Sequence, residues 1–309
     1  MSYMKRFGKL YTLVFTFALI AFSAYALLDT FVITRVYSSV EQSTNSGTNT
    51  AAVETAATPQ SLSVEVAESD ETAYRDENMS ISLSTYYEND TTVYVADIQV
   101  DSPELLKTAL SRNSYGRNVT AATSDTAANV DAILAINGDN YGSREKGYVI
   151  RNGVLYRDTA SKGQEDLVIY ADGSFEVINE SEISAQELID SGAVHVFSFG
   201  PGLIEDGEIS VDADDEVDRA KASNPRTAIG ILDENHYVFV VSDGRSNESE
   251  GLTLKELALF MQRLGVQYAY NLDGGGSSTM VFLDEVINNP TSGHNNGERA
   301  VTDIVYIGY

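Results

Sequence analysis

Three dipeptides restrict the folds open to this chain more than any other feature. Asn152-Gly153, Asp172-Gly173 and Asp206-Gly207 each separate two short apolar runs: 148–151 from 154–157, 167–170 from 175–178, and 202–204 from 208–211. Asn, Asp and Gly tolerate the positive φ that a two-residue β-turn demands, so each pair predicts a hairpin. Apolar runs predict further strands at 92–100, 132–136, 227–232, 237–242, 268–272, 280–283 and 300–307. Helical signals are fewer. Ser102 followed by Pro103 predicts a capped helix over 103–111. Leu257, Ala258, Met261 and Leu264 form an apolar stripe over 253–264, and Gly265 supplies a stop. Many strands and few helices predict an α+β fold: a mixed, largely antiparallel sheet with several hairpins, packed by a few helices.

That domain does not begin at the N-terminus. Residues 10–28 hold no charge, follow Lys5, Arg6 and Lys9, and end at Asp29. About 20 such residues match the ~30 Å hydrocarbon core of a bilayer. The basic flank predicts a cytoplasmic tip and an exported remainder, hence a single-pass protein of the cell membrane. A cleaved signal peptide ending at Ala24-Tyr25-Ala26 is the competing reading. Apolar character continuing through Phe31, Val32 and Ile33 favours an uncleaved transmembrane anchor. Residues 38–78 are Ser, Thr, Ala and Glu with few aromatics, which predicts a disordered linker with at most a short strand near 61–66. The expected division is therefore 1–37 anchor, 38–78 linker and 79–309 enzyme domain.

Composition removes several functions. A formal net charge of −26 leaves no basic stripe for phosphate backbones, so nucleic acid is not an expected partner. With no cysteine there is no thiolate nucleophile, disulfide or thiolate metal site. His195, His236 and His294 each stand alone, without zinc spacing, and the first two alternate with apolar residues as strand positions do. The acids between 212 and 218 lack the glycine and glutamate of an EF-hand and read as a solvated loop. No cofactor is required by these residues, and no spacing supports a divalent metal.

Three motifs can bear chemistry. Asn271-Leu272-Asp273-Gly274-Gly275-Gly276-Ser277-Ser278-Thr279 lies between two strands. Consecutive glycines let a ligand approach the backbone, so the amides of Gly274, Gly275 and Gly276 are expected to form an anion nest, with Ser277, Ser278 and Thr279 as hydroxyl donors. The run is neither a P-loop nor a nucleophile elbow. Asn137-Gly138-Asp139 ends a buried strand and is either a site or an ordinary turn. Asn224-Pro225-Arg226-Thr227 and Ser242-Asp243-Gly244-Arg245 place Arg226 and Arg245 where a guanidinium fork can meet phosphate, the alternative being salt bridges.

Together the runs NGDNYG, VIRNGVLYR, FSFGPGLIEDG, NPRTAIG, VSDGRS and NLDGGGSSTM resemble the phosphodiester glycosidase family, bacterial relatives of the lysosomal uncovering enzyme, over residues 79–309. The resemblance implies hydrolysis of a sugar-1-phosphodiester with release of free sugar, the substrate being a glycan or sugar phosphate. It points to Asn137, Gly138, Asp139, Arg226, Asp243, Arg245 and 271–279 as site residues. Phosphate is a good leaving group, so an anion cradle and one carboxylate at the anomeric carbon would suffice. Asp273, Asp139 and Asp243 are the candidates, and the sequence does not choose among them. The rival readings are a phosphodiesterase cleaving the P–O bond and a non-catalytic module gripping phosphate-containing wall polysaccharide.

Overall fold

The computed structural model describes residues 2–39, 68–69, 72–211, 223–292 and 295–309. The acidic run 212–218, His294 and the stretch 61–66 lie outside them. Among the described residues three large sheets form the body of the domain, beside two two-stranded ones. The largest has nine strands in the order Glu208–Ile209, Gly202–Glu205, Tyr268–Asn271, Arg226–Asp233, His236–Ser242, Thr91–Val100, Met79–Glu88, Ala73–Arg75 and Glu68–Ser69. A five-stranded sheet runs Val154–Arg157, Val149–Arg151, Ala193–Phe197, Glu165–Tyr170, Phe175–Asn179. Another runs Glu285–Val286, Met280–Phe282, Leu134–Asn137, Asp303–Ile307, Leu106–Leu110. Every ladder between these strands is antiparallel. The fold is α+β, and all three expected hairpins form at their Asx-Gly pairs.

The centre of the large sheet is covered on both faces, which explains the unbroken apolar run Tyr237-Val238-Phe239-Val240-Val241. Ile229, Phe239 and Val241 share one core with Leu167, Phe197, Leu134, Ile136 and Ile307 of the smaller sheets. Ala228, Val238 and Val240 pack on the other side against Leu257, Ala258 and Met261 of the helix Leu254–Arg263. That helix starts in a capping box, Thr253 with Glu256, and gives way to Gly265 at φ +89°.

Two expectations need correction. Ser102 does cap a turn starting with Pro103, but the helix stops at Leu105, and Leu106–Leu110 is a strand. The C-terminal strand Asp303–Ile307 pairs along its whole length with 106–110, and that long-range ladder overrides local helical preference. The sheet also reaches upstream of residue 79: Ala73–Arg75 pairs with 80–82, and Glu68–Ser69 pairs with 74–75.

At the N-terminus, Ser2–Phe31 is one helix, of which Tyr11–Phe31 is long and apolar enough to cross a membrane. Just past it, Arg35–Ser39 pairs antiparallel with Ser114–Arg117 of the domain.

Candidate functional site

Several strand ends meet at one edge of the sheets. Leu134–Asn137 and Tyr268–Asn271 finish there, Arg226–Asp233 begins there opposite the end of His236–Ser242, and Asp303 opens the last strand. Asn137 stitches them. Its Nδ2 donates to Asp273 O at 2.6 Å, and its Oδ1 accepts from Thr227 Oγ1 at 2.9 Å and Thr279 N at 3.2 Å. Fully buried and committed on both amide atoms, Asn137 holds the glycine loop rather than a ligand. Gly138 is glycine for packing: a Cβ there would collide with the Asp303 carboxylate.

Asp139 is not open to substrate either. Its Oδ1 lies 2.8 Å from Arg151 Nη2 and accepts from Tyr141 N at 3.1 Å, while Oδ2 accepts from Ser198 N at 2.9 Å. Arg151 also meets Asp303 at 2.8 Å, donates to Ile150 O and Val196 O, and lies 4.2 Å from the Phe197 ring centroid. All three charged side chains are essentially without exposed surface. Burial pushes the Asp303 carboxyl up to about 6 while Arg151 pulls it back. Beyond Ser198, whose hydroxyl donates to Glu180 at 3.0 Å, Asp166 sits beside Glu180. Burial and the Glu180 charge push Asp166 up to about 10, so it stays protonated. His195 is equally internal: both ring nitrogens have partners, and burial lowers it to about 3, leaving it neutral.

The glycine loop commits part of the expected nest. Gly275 N donates to Pro225 O, Ser277 N to Gly274 O, Ser278 N to Gly275 O and Thr279 N to Asn137 Oδ1. Among the described residues no backbone carbonyl takes the amides of Gly274 or Gly276. What the glycines provide is room for two arginines. A Cβ on Gly275, at φ +66°, would stand 2.8 Å from Arg245 Nη2, and one on Gly276 would stand 2.9 Å from Arg299 Nη2. Burial, then repulsion from Arg299, lowers the pKa of Arg245. Two guanidinium groups this close favour an anion between them.

Beside them stands Asp273, 7% exposed, with Oδ2 making no hydrogen bond. Burial raises its pKa, while the charges of Arg299 and Arg144 pull it down. Asn271 Oδ1 and the hydroxyls of Ser277, Ser278 and Thr279 are also buried without a protein partner. Arg226 is buried, not a surface residue, and its Nε donates to Leu252 O at 2.7 Å. Asp243 accepts from Asn289 N at 2.8 Å, Asn289 Nδ2 at 2.9 Å and Tyr94 Oη at 3.2 Å. It borders a polar hollow of about 440 Å³ with Thr92, Ser249, Asn288, Asn289 and Thr291. Thr291 O in turn lies against Gly276, so the hollow adjoins the arginine pair.

Sequence reasoning thus missed Arg144, Arg151 and Arg299. A detectable signal existed only for the Arg151 trio: arginine and aspartate standing alone in apolar strands, at Arg151 and Asp303.

The family model for phosphodiester glycosidases matches residues 130–308, more than half of the chain. The chain belongs to the phosphodiester glycosidase family. A prophage-derived uncharacterized protein of Bacillus subtilis, YomE, is 33% identical over 183 residues, covering 58% of this chain and 28% of that one. N-acetylglucosamine-1-phosphodiester alpha-N-acetylglucosaminidase of Mus musculus is 28% identical over 188 residues, covering 55% of this chain and 36% of that one. The chain therefore spans about a third of the length of these relatives. Among solved structures, the zebrafish catalytic domain of that enzyme, auto-inhibited by its pro-peptide, superposes with a TM-score of 0.58 at 22% identity, covering 75% of this chain and 83% of that one. A hypothetical protein from Synechocystis gives 0.54 at 14% identity, covering 75% and 62%. Both share the fold of this phosphodiester glycosidase domain.

Proposed function

We propose that this domain hydrolyses a sugar-1-phosphodiester at the anomeric C–O bond, on the outer side of the membrane that its N-terminal helix spans. The observation that supports this best is the pairing of Arg245 and Arg299 over Gly275 and Gly276, beside the one candidate carboxylate, Asp273, with an uncommitted oxygen. The arginines hold the phosphate and stabilise the charge it gains on leaving. Asp273, its basicity raised by burial, takes the proton of a water whose oxygen bonds to the anomeric carbon. The C–O electron pair leaves with the phosphate monoester. The hollow beyond Asp243 offers room for the sugar or its aglycone. Asp139 acts as a positioning carboxylate.

N-acetylglucosamine, the sugar in the mouse relative's name, is the first to test, within a cell-envelope glycan phosphate. Hydrolysis in heavy-oxygen water is the direct experiment. Label is expected on the sugar. Label on the phosphate alone would replace the glycosidase reading with P–O cleavage, and no turnover would leave a binding module.

A further inference from the structure

The clearest feature outside the candidate site is where the N-terminal helix meets the domain. Only residues 32–34 separate Phe31, the end of the helix, from Arg35, the first residue of a strand laid on the domain. Asn118 Nδ2 donates to Thr30 O at 3.3 Å and Ile33 O at 3.0 Å, bonding the domain to the helix's last turn. Thr34 Oγ1 donates back to Asn118 O at 3.4 Å. The polar zone of a bilayer adds only ~5–8 Å on each side of the hydrocarbon. A domain bonded to the final turn of a spanning helix therefore sits within reach of the headgroups.

Its face there is suited to that place. Phe31, Val32, Ile33, Val36 and Tyr37 are all exposed, so the apolar surface of the helix continues onto the strand. Tyr37 tilts against Tyr115, which stacks on Tyr141, an aromatic group at the depth where membrane proteins concentrate such rings. These rings border a cleft of about 180 Å³ with Arg117, Arg144 and Arg157. Arg117 pairs with the exposed Glu145 at 3.4 Å; Arg144 donates to Ser198 O at 2.7 Å and Arg157 to Tyr141 O at 3.0 Å, but among the described residues neither has a carboxylate partner. Arg157 Nη2 and Tyr141 Oη are buried without hydrogen bonds. In a chain of net charge −26, this is a concentration of positive charge at the one face that must meet lipid.

We propose that this face is a docking surface for anionic lipid: Val36 and Tyr37 enter the headgroup layer, and the cleft of Arg117, Arg144 and Arg157 receives a headgroup phosphate. The proposal rests on the reading that the helix spans the membrane. Its effect is to hold the catalytic edge at fixed height, since Arg144 both lines the cleft and acts on Asp273.

The absence of tryptophan makes the test clean. Full-length protein carrying Tyr37→Trp, or Phe17→Trp within the helix, is placed in nanodiscs of phosphatidylglycerol or phosphatidylcholine containing brominated chains. Phe17→Trp reports the anchor, and its quenching is expected in both lipids. Tyr37→Trp should be quenched more in phosphatidylglycerol. High salt should remove that difference, and Arg117→Gln should lower the docking equilibrium constant by about fivefold, the worth of one arginine at an anionic surface. Tyr37→Trp left bright while Phe17→Trp is quenched would overturn the dock and keep the anchor. Equal quenching of Tyr37→Trp in the two lipids would overturn the headgroup assignment. A bright Phe17→Trp would remove the membrane reading itself.

Discussion

Two clusters lie within one strand-end of each other and treat their polar atoms in opposite ways. Around Arg151, both carboxylates of Asp139 and Asp303 are paired and the guanidinium also meets two carbonyls. Around the glycine loop, Asn271 Oδ1, Asp273 Oδ2 and three hydroxyls are buried with nothing from the protein to bond. A bare buried polar atom costs about 1–3 kcal/mol, so the second cluster is maintained at the expense of stability. The first fixes the strand ends, and the second keeps its bonding capacity for a ligand. Charged residues in a pocket therefore sort by what already satisfies them, not by their type.

Replacing Arg151 tests that contrast most severely. Arg151→Leu strands two buried carboxylates and should cost about 3–5 kcal/mol, read as a large fall in thermal midpoint. A mild fall would mean that the trio is not the frame of the site. Asp273→Asn should do the reverse, lowering kcat/KM by ~10²–10⁴ with the midpoint unchanged or raised. Equal losses in stability and activity would erase the distinction between the clusters.

Asp166→Asn sharpens the boundary of the held region. Its folded pKa of about 10 stands above the ordinary 3.8, so its contribution is most favourable below pH 3.8 and is lost progressively as pH rises toward 10. At pH 7 the burden is at most about 4 kcal/mol, roughly three pH units at ~1.4 kcal/mol each. The asparagine variant should melt higher near neutrality and lose that part of the slope of stability against pH. A parallel pH profile for both proteins would place the proton elsewhere. Ser278→Ala is the smallest change: no loss of stability, and a fall in kcat/KM of about 2- to 12-fold for one hydrogen bond of ~0.5–1.5 kcal/mol. Full activity would remove Ser278 from the ligand's partners.

Local chemistry made the hairpins legible, because Asn152-Gly153 and its counterparts need no distant residue to turn the chain. The strand Leu106–Leu110 was not legible, since its fate depends on a partner near residue 305. Ala73–Arg75 is too short to announce itself beside a long polar stretch. Within the candidate site, the motifs all fall at one edge of the sheets, but their spacing does not sort the side chains already bonded from those left open. Asp139 and Asp273 are both aspartates beside glycine, and only the folded chain brings Arg151 and Asp303 to one and leaves the other open. The arginine pair was half visible: Arg245 follows a strand, whereas Arg299 reaches Gly276 from a Gly/Asn-rich turn with no periodicity to flag it.

The strand Arg35–Ser39 also changes what the following segment is. Ser39 pairs with Ser114 and Glu68 lies in the large sheet, so the residues on either side of the interval 40–67 are fastened to the same domain. A protease cutting within that interval would yield a short helix-bearing fragment and a long one holding the phosphodiester glycosidase family domain that still travel together, held by a four-pair ladder and the bonds of Asn118. The two pieces should separate on a denaturing gel and sediment as one with membranes. Co-expressed as separate polypeptides, they should reassemble as complementary halves.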